Sequence, residues 1–217
     1  MDGLLDAIEV RVLGSLMEKE LATPEYYPLS LNALVNACNQ KTNRAPVLVL
    51  DAETVADALQ SLKQKQLVYQ SDASRVPKYW QAFAKQKNLI SREAALLSLL
   101  LLRGPQTAGE LRTRTDNLCS FERLEEVFQS LENLSTTGLV VQLPRQPGQK
   151  EQRFAHLLAG EAGAVPVEQA VARQEPVLMA RAAEPARIDA LEAAVASLQE
   201  EIETLKTAFA AFRKEFE

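Results

Sequence analysis

The amino-acid sequence predicts a mostly α-helical chain with small β-hairpins, and three observations carry that expectation. One apolar pattern occurs twice: Val55, Leu59, Leu62, Leu67 and Val68 return seventy-two positions later as Val127, Leu131, Leu134, Leu139 and Val140. In each copy the first three residues are spaced four and three apart, which is one face of a helix, and the apolar pair after them opens a strand. Each copy also has two helical stretches before it and a second strand-like run after it. Near the end, apolar residues alternate spacings of three and four from Ile188 to Phe216, the pattern of a coiled-coil seam. Helices closed by a hairpin make a winged-helix unit. The chain therefore reads as two tandem winged-helix domains, residues 1–86 and 87–160, then a flexible linker, 161–187, and a C-terminal coiled-coil helix, 188–217.

In the first copy, Ile8, Val12, Leu13, Leu16 and Met17 recur at helical spacing, with Glu9, Arg11, Ser15, Glu18 and Lys19 opposite them. This is an amphipathic helix ending near Leu21. Pro24 and Pro28 prevent its continuation, and Tyr27 to Leu29 fits a very short strand. Ser30 is placed to cap a second helix through Leu31, Leu34, Val35 and Cys38, and Asp51 to cap a third that ends near Gln66. Residues 67–69 and 78–80 form the expected hairpin around a short wing.

The second copy is tighter. Ser91 is expected to cap a helix running to Arg103, stopped by Gly104 and Pro105. Thr107 caps a short helix through Leu111, Ser120 to Thr137 forms the third, and residues 139–141 and 154–157 pair around a longer wing. The first of these helices is apolar on nearly every face from Ala94 to Leu102. A domain this small covers one face of a helix. The other must meet the first domain, a second chain or the tail, unless the short helix and the wing cover it. Residues 161–187 shift to Ala, Glu, Gln, Val and Pro without periodicity, as a linker does. In the seam, Ile188, Leu191, Val195, Leu198, Ile202, Leu205, Phe209 and Phe212 are the expected oligomerisation residues. β-Branched residues at a and leucine at d favour a homodimer, and the phenylalanines leave strand number and orientation open. The alternative is a helix folded back on its own domain.

The net charge of −5 comes from the tail: residues 161–217 hold six Lys/Arg against eleven Asp/Glu, and the preceding 160 balance at eighteen each. A neutral body lacks the global basic signal of many nucleic-acid binders and leaves room for a local patch. Two cysteines in different repeats and one histidine argue against a disulfide framework or a metal site. The acidic start is unlike a signal peptide and no apolar run is long enough to span a bilayer, so a cytoplasmic protein is expected.

The sequence holds no phosphate-binding loop, zinc spacing or nucleophile elbow. His156 fits a structural role in a strand, Cys38 continues an apolar helical face, and Glu125 and Glu126 point apart. No enzyme, cofactor or metal is expected. Two patches could meet nucleic acid. One is the turn Asn39 to Arg44, with Lys41, Asn43 and Arg44 able to donate to phosphates or base edges. The other is the second wing, with Arg145, Lys150 and Arg153. The plain alternatives are a hydrogen-bonded turn and a solvated hairpin. The third helices argue against insertion in a groove: the second presents Glu122, Glu125, Glu126 and Glu132, which would meet like charge.

Several motifs resemble the YceH-like family of uncharacterised bacterial proteins: Thr23-Pro24-Glu25, Tyr27-Pro28-Leu29-Ser30, Asn32, the run Ala37 to Arg44, and Pro46-Val47. So do Leu101 to Thr107, Gly109-Glu110-Leu111-Arg112, Arg114, and the wing residues Arg145, Pro147-Gly148, Lys150-Glu151, Arg153 and His156-Leu157. The likeness covers about residues 5–160. It implies a tandem winged-helix fold and passes on no activity, substrate or functional residue. Two functions are then expected: a non-enzymatic, regulator-like protein touching nucleic acid by the turn and second wing, or a protein-binding scaffold using the leucine-covered helix and the acidic third helices.

Overall fold

The computed structural model describes residues 4–71, 73, 75–145, 148 and 151–160. Lys150, the linker and the heptad helix with its seam from Ile188 to Phe212 lie outside them. Met1–Gly163 forms one compact unit. Its described residues make seven α-helices and two three-stranded antiparallel sheets.

The first half opens with α1, Ala7–Ala22, fixed by a capping box: the Asp6 carboxylate accepts from the Ile8 and Glu9 amides, and Glu9 accepts from the Asp6 amide, all at 2.8 Å. A 3₁₀ turn, Pro24–Tyr26, leads to β1, Leu29–Ser30. Ser30 Oγ caps α2, Leu31–Cys38, and the Asp51 carboxylate caps α3, Ala52–Gln64. Gln66 has a left-handed φ of 60°, which ends α3 slightly before the expected boundary. The hairpin β2, Val68–Ser71, and β3, Lys78–Gln81, is completed by β1 on the far side of β3. A short helix that the sequence pattern did not suggest follows, α4, Phe83–Gln86, with Phe83 buried beneath it.

The second half repeats the order: α5, Ser91–Arg103; β4, Gln106–Thr107; α6, Ala108–Arg114; α7, Leu124–Thr136; β5, Val140–Gln142; and β6, Arg153–His156. The registers correspond, Leu29 opposite Tyr79 and Ser30 opposite Lys78 in one sheet, Gln106 opposite Phe154 and Thr107 opposite Arg153 in the other. Two helix starts differ from expectation. Ile90, not Ser91, occupies the cap position of α5, and its amide donates to Glu93 at 3.1 Å. α7 starts at Leu124, after the expected Ser120. The Arg112 guanidinium holds the carbonyls of Phe121 and Glu122, and the Phe121 ring is buried, which keeps this stretch out of the helix.

α5 is buried at every residue from Glu93 to Leu102, and the face its own half cannot cover packs against α1. α1 is in turn buried from Glu9 to Glu18. The helices approach so closely that a Cβ on Gly14 would lie 3.0 Å from Leu101 Cβ and 3.1 Å from Leu102 Cγ. One hydrophobic core runs through this contact, each buried leucine contributing about 2 kcal/mol. The leucine-covered helix is thus interior and is no docking surface, which corrects the part of the scaffold expectation that rested on it and leaves the part that rested on the acidic third helices. The outward polar face expected for α1 is likewise corrected, because those residues find partners inside the protein. Glu9 accepts from Ser61 Oγ and Lys65 Nζ, both at 2.6 Å. Arg11 donates to the carbonyls of Cys38 and Pro46. Two backbone bonds, Ala45 N–H to the Leu102 carbonyl and Leu5 N–H to the Leu158 carbonyl, both 2.8 Å, tie the halves again.

Candidate functional site

After α2 the chain enters the polar turn. Asn39 braces it: its side-chain amide donates to the Leu50 carbonyl at 2.7 Å and its oxygen accepts from the Leu50 amide at 2.8 Å. Lys41, Thr42 and Asn43 project to solvent, with Asn43 in a left-handed conformation, φ 62°. Arg44 turns inward. It is 6% exposed, donates to both Glu18 oxygens at 3.0 and 2.6 Å, and also holds the Ala37 and Asn43 carbonyls. The expectation that Arg44 offers its guanidinium to a ligand is corrected by this geometry, since its donors serve the fold.

A cleft of about 370 Å³ opens beside the turn. Its walls are the end of α1 (Glu18, Lys19, Ala22), residues Gln40 to Asn43, and Leu99, Arg114, Asn117 and Leu118 from the second half. Arg103 reaches the same place by donating to Asn43 Oδ1. The cations Lys19, Lys41, Arg103 and Arg114 therefore converge here. The one acid in the cleft wall, Glu18, is already engaged by Arg44. Burial, together with the positive charges of Arg114 and Arg44, pushes the Arg103 guanidinium below its ordinary pKa, although Glu18 and Glu110 act in the other direction. A site with this excess of donors and positive charge can hold phosphate or carboxylate groups.

The second wing joins the same region at its base. Arg145 is exposed. Arg153 donates to the Pro105 carbonyl at 2.9 Å and to Glu110 at 3.0 Å. Glu110 also faces Arg114 at 3.7 Å, and Arg114 donates to the Gln106 side chain. Of the expected residues, Lys41 and Asn43 line the cleft, Arg145 stands on the wing and Arg153 anchors the wing's base through Glu110. Arg103, Arg114 and Lys19 were not among the expected binding residues. Arg103 and Arg114 both come from the second half, at the ends of α5 and α6, and the α1–α5 contact brings Lys19 and Lys41 of the first half to them.

Among the described residues, no group of three or more His, Cys, Asp or Glu could hold a metal ion. The Cys38 thiol is fully buried and pushed up by that burial, and the half-buried Cys119 thiol is also raised. None of the described helices is long and apolar enough to cross a membrane. His156 lies opposite Val140 in the sheet, and burial lowers its pKa from 6.5 to about 4. The unfolded chain thus binds this proton at higher pH than the folded one. The stability linked to His156 is complete above pH 6.5 and is lost as pH falls through about 4, by at most about 3 kcal/mol. Gln81 holds the matching position opposite Val68. The substitution His156→Gln is expected to flatten stability across this window in urea titrations. An unchanged slope would place the acid sensitivity elsewhere.

A family model described as "Protein of unknown function, DUF480" matches residues 5–149. The chain is similar to the UPF0502 protein of Solibacter usitatus, 51% identical over 218 residues that cover both chains in full. It is 50% identical over 220 residues, again covering both in full, to the UPF0502 protein of Geobacter sulfurreducens. To that of Aeromonas hydrophila it is 43% identical over 212 residues, 94% of this chain and 96% of the relative.

Proposed function

The chain belongs to the DUF480 family, consistent with its YceH-like motifs, and we propose that it is a non-enzymatic, regulator-like protein of the cytoplasm that contacts nucleic acid. In this reading each half is a winged-helix unit. The helix, strand, two helices and hairpin of the two halves, with sheet orders β1-β3-β2 and β4-β6-β5, support it. The observation that carries the function is the convergence of Lys19, Lys41, Arg103 and Arg114 beside the base of the second wing. Phosphates lying across the cleft mouth would meet Lys41, Asn43 and Arg114, and then Arg145 on the wing. Contacts of this kind release counterions and position a duplex without reading its sequence. α7 takes no part, since its exposed Glu125 and Glu132 repel a phosphate backbone. The heptad seam from Ile188 to Phe212 pairs two chains and doubles the contact.

The test is a duplex titration at roughly 50 mM salt, followed by anisotropy, with Lys41→Ala/Arg145→Ala as the variant. Both side chains are exposed, so the fold is unaffected. Affinity is expected to fall about tenfold, and the dependence of log K on log salt to lessen by about 2. No binding by the parent chain, or equal binding by the variant, sinks the reading. Light scattering on the same samples reports the tail, a monomer mass discarding the seam. Protein docking is a second reading, favoured by an exposed apolar groove beside α7.

A further inference from the structure

α7 and the β5–β6 hairpin frame an open groove of about 620 Å³, distant in role from the cationic cleft. Val140, Val141, Phe154 and Leu157 line it, with Phe128 and Glu132 from α7. Phe128 is 47% exposed, its ring edge-on to Phe154 with centroids 6.3 Å apart. A half-exposed phenylalanine beside an apolar floor marks a contact surface, because it gains by being covered.

The repeat supplies a comparison within the molecule. The seventy-two-residue offset sets Ala56 against Phe128, Gln60 against Glu132 and Lys63 against Ser135. On α3 this stripe is small and ends in a cation. On α7 it is aromatic and acidic. Glu125, Phe128 and Glu132 lie at i, i+3 and i+7, on one side of the helix, both glutamates are exposed, and α7 contains no Lys or Arg. The acid on either side of the anchor selects the occupant. A phosphate backbone or an acidic segment is repelled. Two copies of this chain meeting face to face here would set the same acidic rims against each other.

We propose that this groove docks a cationic segment of another protein, which places one large apolar side chain against Phe128 and sets Lys or Arg beside Glu125 and Glu132. The inference is independent of nucleic-acid contact at the cleft. The probe is a short fluorescein-labelled peptide of lysines around a central Trp-Leu pair, with the same peptide carrying glutamate for lysine as control, titrated against the full chain. The lysine peptide is expected to bind and the glutamate peptide not to bind. Phe128→Ala and Glu132→Lys should each weaken binding at least about tenfold. Glu53→Lys makes the same charge change on the exposed face of α3 and should leave binding intact.

Equal losses for Glu53→Lys and Glu132→Lys would reduce the effect to net charge and overturn the proposal. So would full binding by Phe128→Ala, checked as folded by circular dichroism. If Phe128→Ala instead lowers the mass seen by light scattering, the groove is an interface between copies; if it weakens duplex binding, the groove belongs to nucleic acid. Either result also overturns the assignment.

Discussion

Replacing Gly14 by leucine is expected to lower the thermal midpoint by about 6–12 °C, equivalent to roughly 3 kcal/mol in a chain of this length. A glycine in mid-helix ordinarily costs up to about 1 kcal/mol relative to alanine, so a larger residue should help α1 if nothing opposed it. Leu101 and Leu102 oppose it. Even a Cβ would stand 3.0 Å from Leu101 Cβ, which is fixed to the backbone of α5 and cannot swing aside. A leucine must therefore push α1 and α5 apart, which loosens the core on both sides of the seam, because protein interiors are close-packed. Thermal unfolding followed by circular dichroism checks this. A midpoint equal to or above that of the parent would mean that the two helices are not packed at this distance.

Removal of the Arg44 side chain by alanine is expected to cost about 3–5 kcal/mol in urea unfolding. The Glu18 and Arg44 side chains are 7% and 0% exposed, and the pair is bidentate. Without Arg44, Glu18 stays buried with Lys19 at 3.3 Å as its remaining cation, and the Ala37 carbonyl loses its donor. The double substitution Glu18→Leu/Arg44→Met should cost less than Arg44→Ala alone, since it leaves no charge stranded. The acid limb carries the same signature. Burial raises the Glu18 pKa, but Arg44 and, to a smaller extent, Lys19 together more than offset this, and the net shift is downward from 4.5. The stability from Glu18 is therefore present above pH 4.5 and lost as pH falls through the lower folded value; Arg44→Ala should blunt that loss. If Arg44→Ala instead left stability unchanged and weakened duplex binding, the side chain would be facing solvent.

What the sequence made legible was short in range. The caps at Ser30, Asp51 and Thr107 sit three residues from the amides they serve, and the two hairpins follow the repeated apolar pattern. What it hid was long in range. Glu9, Arg11 and Glu18 looked like a solvated stripe because their partners Lys65, Pro46 and Arg44 lie 56, 35 and 26 residues away, and periodicity carries no record of such pairs. The apolar run in α5 called for a neighbour, with the first domain among the candidates, but nothing in the pattern picked out α1. Once its charges are paired, α1 is as interior as the leucines it meets. The cleft follows from that contact: Lys41 and Arg114 were visible as residues, and their proximity was not.

The interior common to α1 and α5 turns the two hairpins into fixtures on a single beam. A pair of domains on a loose tether adapts its reach to whatever it grips; here the gap is set by helix packing. A partner long enough to engage both ends must bring the matching spacing itself, and its second contact then costs little additional ordering. For the proposed duplex contact, length and pitch in the partner would then matter more than any letter of its sequence.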